Sequence, residues 1–157
     1  MKKALALFLC AFCLFLAAGC TQTDSNSEDM AGYIVIIDNT LYFDIVEILT
    51  PDDTDRITEL QLGAGDMPNG FHIYNESIEK STYELTDKTV YSFIDVNRLF
   101  SNADGDTPAY ETTVLDEFLL HLDTTYTDNP PAQTVPFFVT VKGGKVVSVT
   151  EEFKYTI

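Results

Sequence analysis

Cysteine, histidine, tryptophan and basic residues are scarce in this chain. Its 157 residues include three cysteines, two histidines, no tryptophan, and nine lysines and arginines against 25 aspartates and glutamates. The formal net charge of −16 argues against nucleic acid as a partner, because a phosphate backbone is bound through basic side chains. With so few soft ligands, an all-protein zinc site is not expected either.

All three cysteines stand within the first twenty residues, in or beside a short apolar run. Lys2 and Lys3 precede fifteen uncharged residues, 4–18, which are rich in Leu, Phe and Ala. The run is shorter than the about 20 residues that a membrane-spanning helix needs. Its length and its basic flank are typical of a signal peptide, so we expect the chain to be exported.

The sequence Leu16-Ala17-Ala18-Gly19-Cys20 resembles the lipobox of bacterial lipoproteins. In that family the cysteine thiol receives a diacylglycerol and the chain is cleaved directly before it. The resemblance implies that Cys20 carries acyl chains such as palmitate, which anchor the protein in the bacterial cell envelope on the extracytoplasmic side of a membrane. An uncleaved N-terminal anchor helix is the alternative, and it also places the rest of the chain outside the cytoplasm.

Cleavage before Cys20 would divide the chain into three parts. Removal of the signal peptide, residues 1–19, takes two lysines and no acid, so the net charge changes from −16 to −18. The polar residues 20–32 predict a lipidated, flexible tether. Residues 33–157 are then a single extracytoplasmic domain, which has no cysteine for a disulfide and depends on its core alone.

Apolar runs and turn residues predict an α+β domain. We expect six to seven strands in a mainly antiparallel, strongly curved sheet or a small barrel similar to an OB fold, with two helices. Turn residues predict hairpins at Asp38-Asn39-Thr40, at Thr86-Asp87-Lys88 and at Gly143-Gly144.

Both predicted helices have start signals. The first runs from Thr50 to about Leu62, with Asp53 reaching back as in a capping box. Thr112 or Thr113 caps the second helix, in which His121 follows Glu117 by one turn and is interpreted as its surface partner. This second helix carries one apolar stripe, formed by Leu115, Phe118, Leu119 and Leu122.

One acidic loop has the composition of a calcium site. Asn102, Asp104 and Asp106 alternate around Gly105, and Glu111 follows five residues later. Calcium loops use oxygen ligands at alternate positions near a glycine. The order departs from that of an EF-hand, because the glycine precedes the third ligand and no glutamate stands at the twelfth position. An ordinary Asp-Gly turn is the alternative to calcium binding.

Outside the N-terminal apolar run, the sequence contains no HExxH, CxxC or GxSxG motif that would predict an enzyme. Three segments, 41–47, 66–75 and 139–151, resemble small secreted or lipid-anchored bacterial proteins of unknown function, a resemblance that implies no activity. Our first hypothesis is a lipid-anchored binding or interaction domain with an unidentified protein or small-ligand partner. The alternatives are a small envelope hydrolase that uses carboxylates and a structural or inhibitory lipoprotein that acts through a protein partner.

Overall fold

The computed structural model describes residues 27–77, 79–101, 108–152 and 154. Within these ranges, eight strands form one connected sheet, accompanied by two α-helices and one 3-10 helix at Ala64–Asp66. The α+β class predicted from the sequence is confirmed. The strands and α-helices are β1 (Ser27–Ile37), β2 (Thr40–Leu49), α1 (Thr54–Glu59), β3 (His72–Tyr74), β4 (Ser81–Glu84), β5 (Val90–Ile94), β6 (Ala109–Thr112), α2 (Leu115–Thr125), β7 (Phe137–Lys142) and β8 (Lys145–Glu151).

Five of these strands form a closed but uneven ring. β1 pairs with β2 and β7, β7 pairs with β8, and β2 pairs with β4, in each case antiparallel. The ring closes where β4 meets β8 in parallel through one residue pair, Glu84 with Lys145. The strong curvature predicted for the sheet is present, although closure through one pair does not make an even barrel.

The other three strands extend this ring. β5 pairs in parallel with β8 and antiparallel with β6, while β3 pairs with the end of β2 beyond β4. Eight strands thus replace the six to seven that we predicted. The additional strand is β6, which starts at Ala109 in a stretch that the sequence indicates as a loop.

Two of the three predicted hairpins are confirmed. Asp38, with a φ of 53°, joins β1 to β2, and Gly143 and Gly144, with φ values of 59° and 77°, join β7 to β8. Positive φ is what tight two-residue turns require, and glycine adopts it without strain. The predicted hairpin at Thr86-Asp87-Lys88 is wrong, because β4 and β5 do not pair with each other and each lies against β8.

β1 begins six residues before the predicted start of the folded domain. Residues 27–32 pair with residues 137–142 of β7, so they belong to the sheet and not to the tether. The side chains at the start of the strand are exposed, and the Thr140 hydroxyl donates to the Asp29 carboxylate at 2.7 Å. A strand end with exposed side chains needs no apolar pattern. The polar sequence of residues 27–32 therefore predicted a tether where the structure has a strand.

The core lies between the sheet and α2. Phe118 of α2 is fully buried, with its ring stacked on Tyr91 of β5 at 4.8 Å between centroids. It also meets the Phe137 ring of β7 edge-on at 6.0 Å. Leu122, one turn further along α2, is buried as well, so the predicted apolar stripe faces the core.

The helix starts differ from those predicted. The Asp53 carboxylate accepts the backbone N–H of Thr50 at 2.7 Å, as in a capping box, but this contact closes a turn before α1. α1 therefore spans only six residues. The N-cap of α2 is Val114 in place of Thr112 or Thr113, and its N–H donates to the Thr112 hydroxyl at 3.0 Å.

Gly32 stands where β1 has no room for a side chain. A Cβ there would lie 2.3 Å from the carbonyl oxygen of Asp44 and 2.8 Å from the Phe43 ring. Both neighbours belong to β2, which is paired with β1 along this stretch. We expect Gly32→Ala to lower the free energy of unfolding by about 1–3 kcal/mol, measured by urea denaturation.

Gly65→Ala is the matched control for this substitution. A Cβ at Gly65 would meet nothing within 4 Å, so its unfolding free energy should change by less than about 1 kcal/mol. If Gly32→Ala unfolded at the same urea concentration as the wild type, the tight approach of β1 to β2 would be contradicted.

Candidate functional site

An open pocket lies beside the single contact between β4 and β8. It has a volume of about 520 Å³, which is within the range of sites for small molecules. The turn between β1 and β2, the end of β4 with the turn that follows, the start of α2 and the first residue of β8 contribute to its walls. We call it the end pocket; six of its lining residues carry the argument, Glu84, Leu85, Asp87, Tyr91, Leu115 and Lys145.

Tyr91 lines the end pocket and carries a buried hydroxyl group. The residue is fully buried, and its hydroxyl makes no hydrogen bond to any described residue. Most buried polar atoms in proteins have a partner, so a buried hydroxyl without one requires an explanation. Burial raises the pKa of Tyr91 to about 12, a rise that the Thr89 side chain counters only in part.

Thr89, whose side chain acts on the pKa of Tyr91, is bonded to two backbone groups. The Thr89 hydroxyl oxygen accepts the backbone N–H of Thr86 at 3.0 Å and donates its proton to the carbonyl oxygen of Val146 at 2.8 Å. Thr86 is itself part of the pocket lining. Because Thr89 donates to Val146, it offers the tyrosine no proton.

Three charged side chains stand at the rim of the end pocket. Lys145 Nζ lies 3.2 Å from a carboxylate oxygen of Glu84, and both side chains are more than half exposed, at 59 and 58%. An exposed ion pair of this kind contributes at most about 1 kcal/mol. Asp87 is exposed too, and its carboxylate bonds to no other described side chain. The rim therefore carries one unbalanced negative charge.

A second polar cluster surrounds the buried carboxylate of Glu151. One oxygen contacts Nε2 of His121 at 3.0 Å and accepts the Tyr126 hydroxyl. The other oxygen accepts the backbone N–H of Ile94 at 3.0 Å. Burial, reinforced by the bond to Glu151, holds the pKa of Tyr126 well above its ordinary value. These groups are hydrogen-bonded to one another, so the cluster links β5, β8 and α2.

His121 is therefore not the surface residue that we predicted. Its side chain is 2% exposed, and its ring stacks on Phe93 at 4.1 Å between centroids. Glu117, the predicted partner, instead accepts the hydroxyl of Tyr110 at 3.2 Å. The prediction was wrong because Glu151, the actual partner, is separated from His121 by 30 residues.

Asp95 is a further buried acid with a structural role. Its carboxylate accepts the backbone N–H groups of Leu99, Phe100 and Ser101 at 2.8 to 2.9 Å. Burial acts to raise the pKa of Asp95, but these N–H donors together outweigh it and leave the pKa below its ordinary value. The carboxylate orders the chain at the start of the acidic loop.

The residues of the predicted calcium site are only partly described. Asn102, Asp104 and Asp106 lie outside the described ranges, and so does Cys20. Glu111 lies on β6, where its carboxylate accepts the Ser92 hydroxyl at 3.3 Å. Among the residues that are described, no group of three His, Cys, Asp or Glu side chains has the arrangement of a metal site. Calcium binding by this loop stays a prediction.

No motif in the sequence predicts the end pocket. Tyr91 is one apolar position of an alternating strand, and Asp87 is an ordinary turn residue. The parallel pairings of β4 and β5 with β8 bring them together with Lys145. Pairings between distant segments of this kind have no local signature.

Comparisons with protein-family models, with curated proteins and with solved structures found no significant match to this chain. Across the described ranges, no helix combines the length and apolar character required to cross a membrane. Function is therefore inferred from the chemistry of the end pocket and from the N-terminal sequence.

Removal of the Tyr91 hydroxyl should stabilise the protein without ligand. A buried hydroxyl with no partner costs about 1–3 kcal/mol, and Tyr91→Phe removes it while keeping the ring that packs on Phe118. We expect the thermal midpoint of Tyr91→Phe to rise. Tyr126→Phe is the control: it removes one of the hydrogen bonds to the buried Glu151 carboxylate and should lower the midpoint. A lower midpoint for Tyr91→Phe would contradict our description of the pocket.

Proposed function

We propose that this chain is a lipid-anchored extracytoplasmic binding domain that takes a small molecule into the end pocket. The observation that carries the proposal is the buried Tyr91 hydroxyl, which has no described hydrogen-bond partner and belongs to a residue that lines an open pocket. A free protein bears the desolvation cost of such a group, whereas a complex recovers it when a ligand supplies the hydrogen bond. Sites for small molecules commonly combine a few polar groups with apolar walls.

The use of the buried acids favours binding over hydrolysis. A carboxylate-dependent hydrolase needs two acidic groups that face its substrate, one as acid and one as base or nucleophile. Glu151 and Asp95, the buried carboxylates of the described chain, are each held by protein donors. They also do not line the end pocket. Its two acids, Glu84 and Asp87, are exposed rim residues.

A short segment separates Cys20 from the start of β1, which lies two strands away from the pocket rim. Six residues, 21–26, separate Cys20 from the start of β1. A chain of that length reaches at most about 20 Å. Ser27 pairs with Lys142, which pairs with Lys145 at the pocket rim. Two strand spacings, about 10 Å, therefore separate the start of β1 from the rim. A lipid on Cys20 would hold the pocket near the membrane surface.

Acylation of Cys20 is tested by metabolic labelling with a palmitate analogue in a bacterial host. The wild-type chain should incorporate the label and sediment with membranes, whereas Cys20→Ala should not be labelled. Cys10→Ala is the matched control, because this cysteine lies inside the segment that signal cleavage removes, and it should be labelled as the wild type. Equal labelling of Cys20→Ala would refute the proposed anchor.

Binding in the end pocket is tested by a thermal-shift screen of small polar metabolites. A ligand that prefers the folded state raises the midpoint, by an amount that depends on its concentration relative to Kd. We expect at least one compound to raise the midpoint of the wild type and to lose this effect in Tyr91→Phe. If no compound acts through Tyr91, the proposal fails. A protein partner captured equally by both variants would then favour the structural or inhibitory alternative.

A further inference from the structure

We infer that an apolar groove on the segment between β2 and β3 is a docking site for a basic, amphipathic segment of a protein partner. The segment, residues 50–70, contains α1 and the 3-10 helix. The groove that it forms has a volume of about 440 Å³. We call it the α1 groove; the apolar residues and prolines that line it are Pro51, Ile57, Leu62, Ala64 and Met67.

The apolar side chains of this segment are not covered by the rest of the protein. The structure describes residues 50–70 throughout, and no residue among them is buried. Ile57, Leu62 and Met67 are half-buried, and they are not among the described residues that pack against the core around Phe118. Short helices depend on the packing of an apolar face for most of their stability, so a six-residue helix with no buried residue is unusual.

Polar contacts fix the segment to the sheet before any partner binds. Arg56 Nε lies 2.9 Å from a carboxylate oxygen of Glu47 on β2, and the guanidinium group lies over the Tyr74 ring of β3, 5.1 Å from its centroid. Nδ1 of His72, also on β3, lies 3.1 Å from the carbonyl oxygen of Asp66. A groove that is already shaped costs less conformational entropy to fill than one that must be ordered by its partner.

The turn after α1 brings Leu62 back toward the helix. The N–H of Leu62 donates to the carbonyl oxygen of Ile57 at 3.0 Å, and the N–H of Gln61 donates to that of Thr58 at 3.2 Å. Gln61 has a positive φ of 56°. This is the Schellman arrangement, in which the apolar residues at its two ends are commonly in contact. Accordingly, both Ile57 and Leu62 line the groove.

Negative charge borders the α1 groove. Residues 50–70 include five acidic residues and one basic residue, Arg56, which already pairs with Glu47 and Glu59. Four exposed aspartates are sequence neighbours of lining residues: Asp52, Asp53, Asp55 and Asp66. An apolar groove beside exposed carboxylates suits a segment whose apolar side chains enter the groove while its lysines or arginines contact the carboxylates.

The charge of the whole chain also favours a basic partner. With a formal net charge of −16, the protein attracts cationic segments at long range. The same charge opposes a second copy of this chain, and it opposes the anionic headgroups of a membrane.

The α1 groove is separate from the end pocket, and no residue lines both. β2 lies between them: its first residue, Thr40, pairs with Glu84 at the pocket rim, and the segment follows its last residue, Leu49. A strand of this length extends about 30 Å. The inference therefore does not depend on a small molecule in the end pocket.

The test is fluorescence anisotropy of labelled peptides with the full-length chain in phosphatidylcholine nanodiscs. The probe is a short synthetic peptide of leucine and lysine in an amphipathic helical pattern. Two matched peptides carry glutamate in place of lysine, or serine in place of leucine. Empty nanodiscs give the contribution of the membrane, which is subtracted. We expect the leucine–lysine peptide to bind, and each matched peptide to bind at least about tenfold more weakly, because each lacks half of the recognised pattern.

Two changes to the protein locate the binding. Ile57→Ser removes apolar lining, and Asp52→Asn/Asp55→Asn removes two exposed charges; each should weaken binding of the leucine–lysine peptide by about tenfold. Because none of these side chains is buried, both variants should keep the circular dichroism spectrum of the wild type.

α2 supplies a matched control for each change. Leu120→Ser removes an exposed leucine, and Asp116→Asn/Asp123→Asn removes two exposed aspartates, so each control has the same net charge as its test variant. Both controls should bind the leucine–lysine peptide as the wild type does. Equal binding of the lysine and glutamate peptides, or unchanged binding by both groove variants, would overturn the inference. Dimerisation of the wild type that Ile57→Ser abolishes would assign the groove to a second copy of the chain and would overturn it as well.

Discussion

The single-pair closure between β4 and β8 is the constraint on which the shape of this molecule depends. Five strands curve around the Tyr91, Phe118 and Phe137 rings until Glu84 meets Lys145. Because only one residue pair closes the ring, the strands diverge beyond it and leave the end pocket open.

Polar groups inside this sheet fall into two kinds. Glu151 and Asp95 are buried carboxylates whose oxygens accept hydrogen bonds from the protein, so they specify how β5, β8 and α2 come together. Buried acids of this kind are strongly destabilising when a donor is lost, which makes them structural residues. The Tyr91 hydroxyl is different because no described residue satisfies it. This contrast is the physical reason for locating function in the end pocket.

Local signals predicted the local parts of this fold. Two hairpins follow from their turn residues, one from Gly143 and Gly144 and the other from Asp38. The buried face of α2 follows from the apolar stripe that contains Phe118. The parallel pairing of β5 with β8 joins residues 57 to 58 positions apart, and no turn specifies it. For the same reason His121 was assigned to the surface, and the end pocket was not predicted. The candidate anchor, Cys20, could be predicted from the sequence because the residues of the lipobox-like motif are contiguous.

The central claim, that a ligand satisfies the Tyr91 hydroxyl, is tested most directly by NMR of tyrosine ring carbons. The chain has eight tyrosines, and the ¹³Cζ signal absent from Tyr91→Phe identifies the one at issue. Titration with a compound that raises the thermal midpoint of the wild type but not of Tyr91→Phe should move the Tyr91 signal more than any other, because ¹³Cζ bears the hydroxyl that gains a partner. If the Tyr91 signal stayed in place while another tyrosine signal moved, the ligand would bind elsewhere and the account would be contradicted.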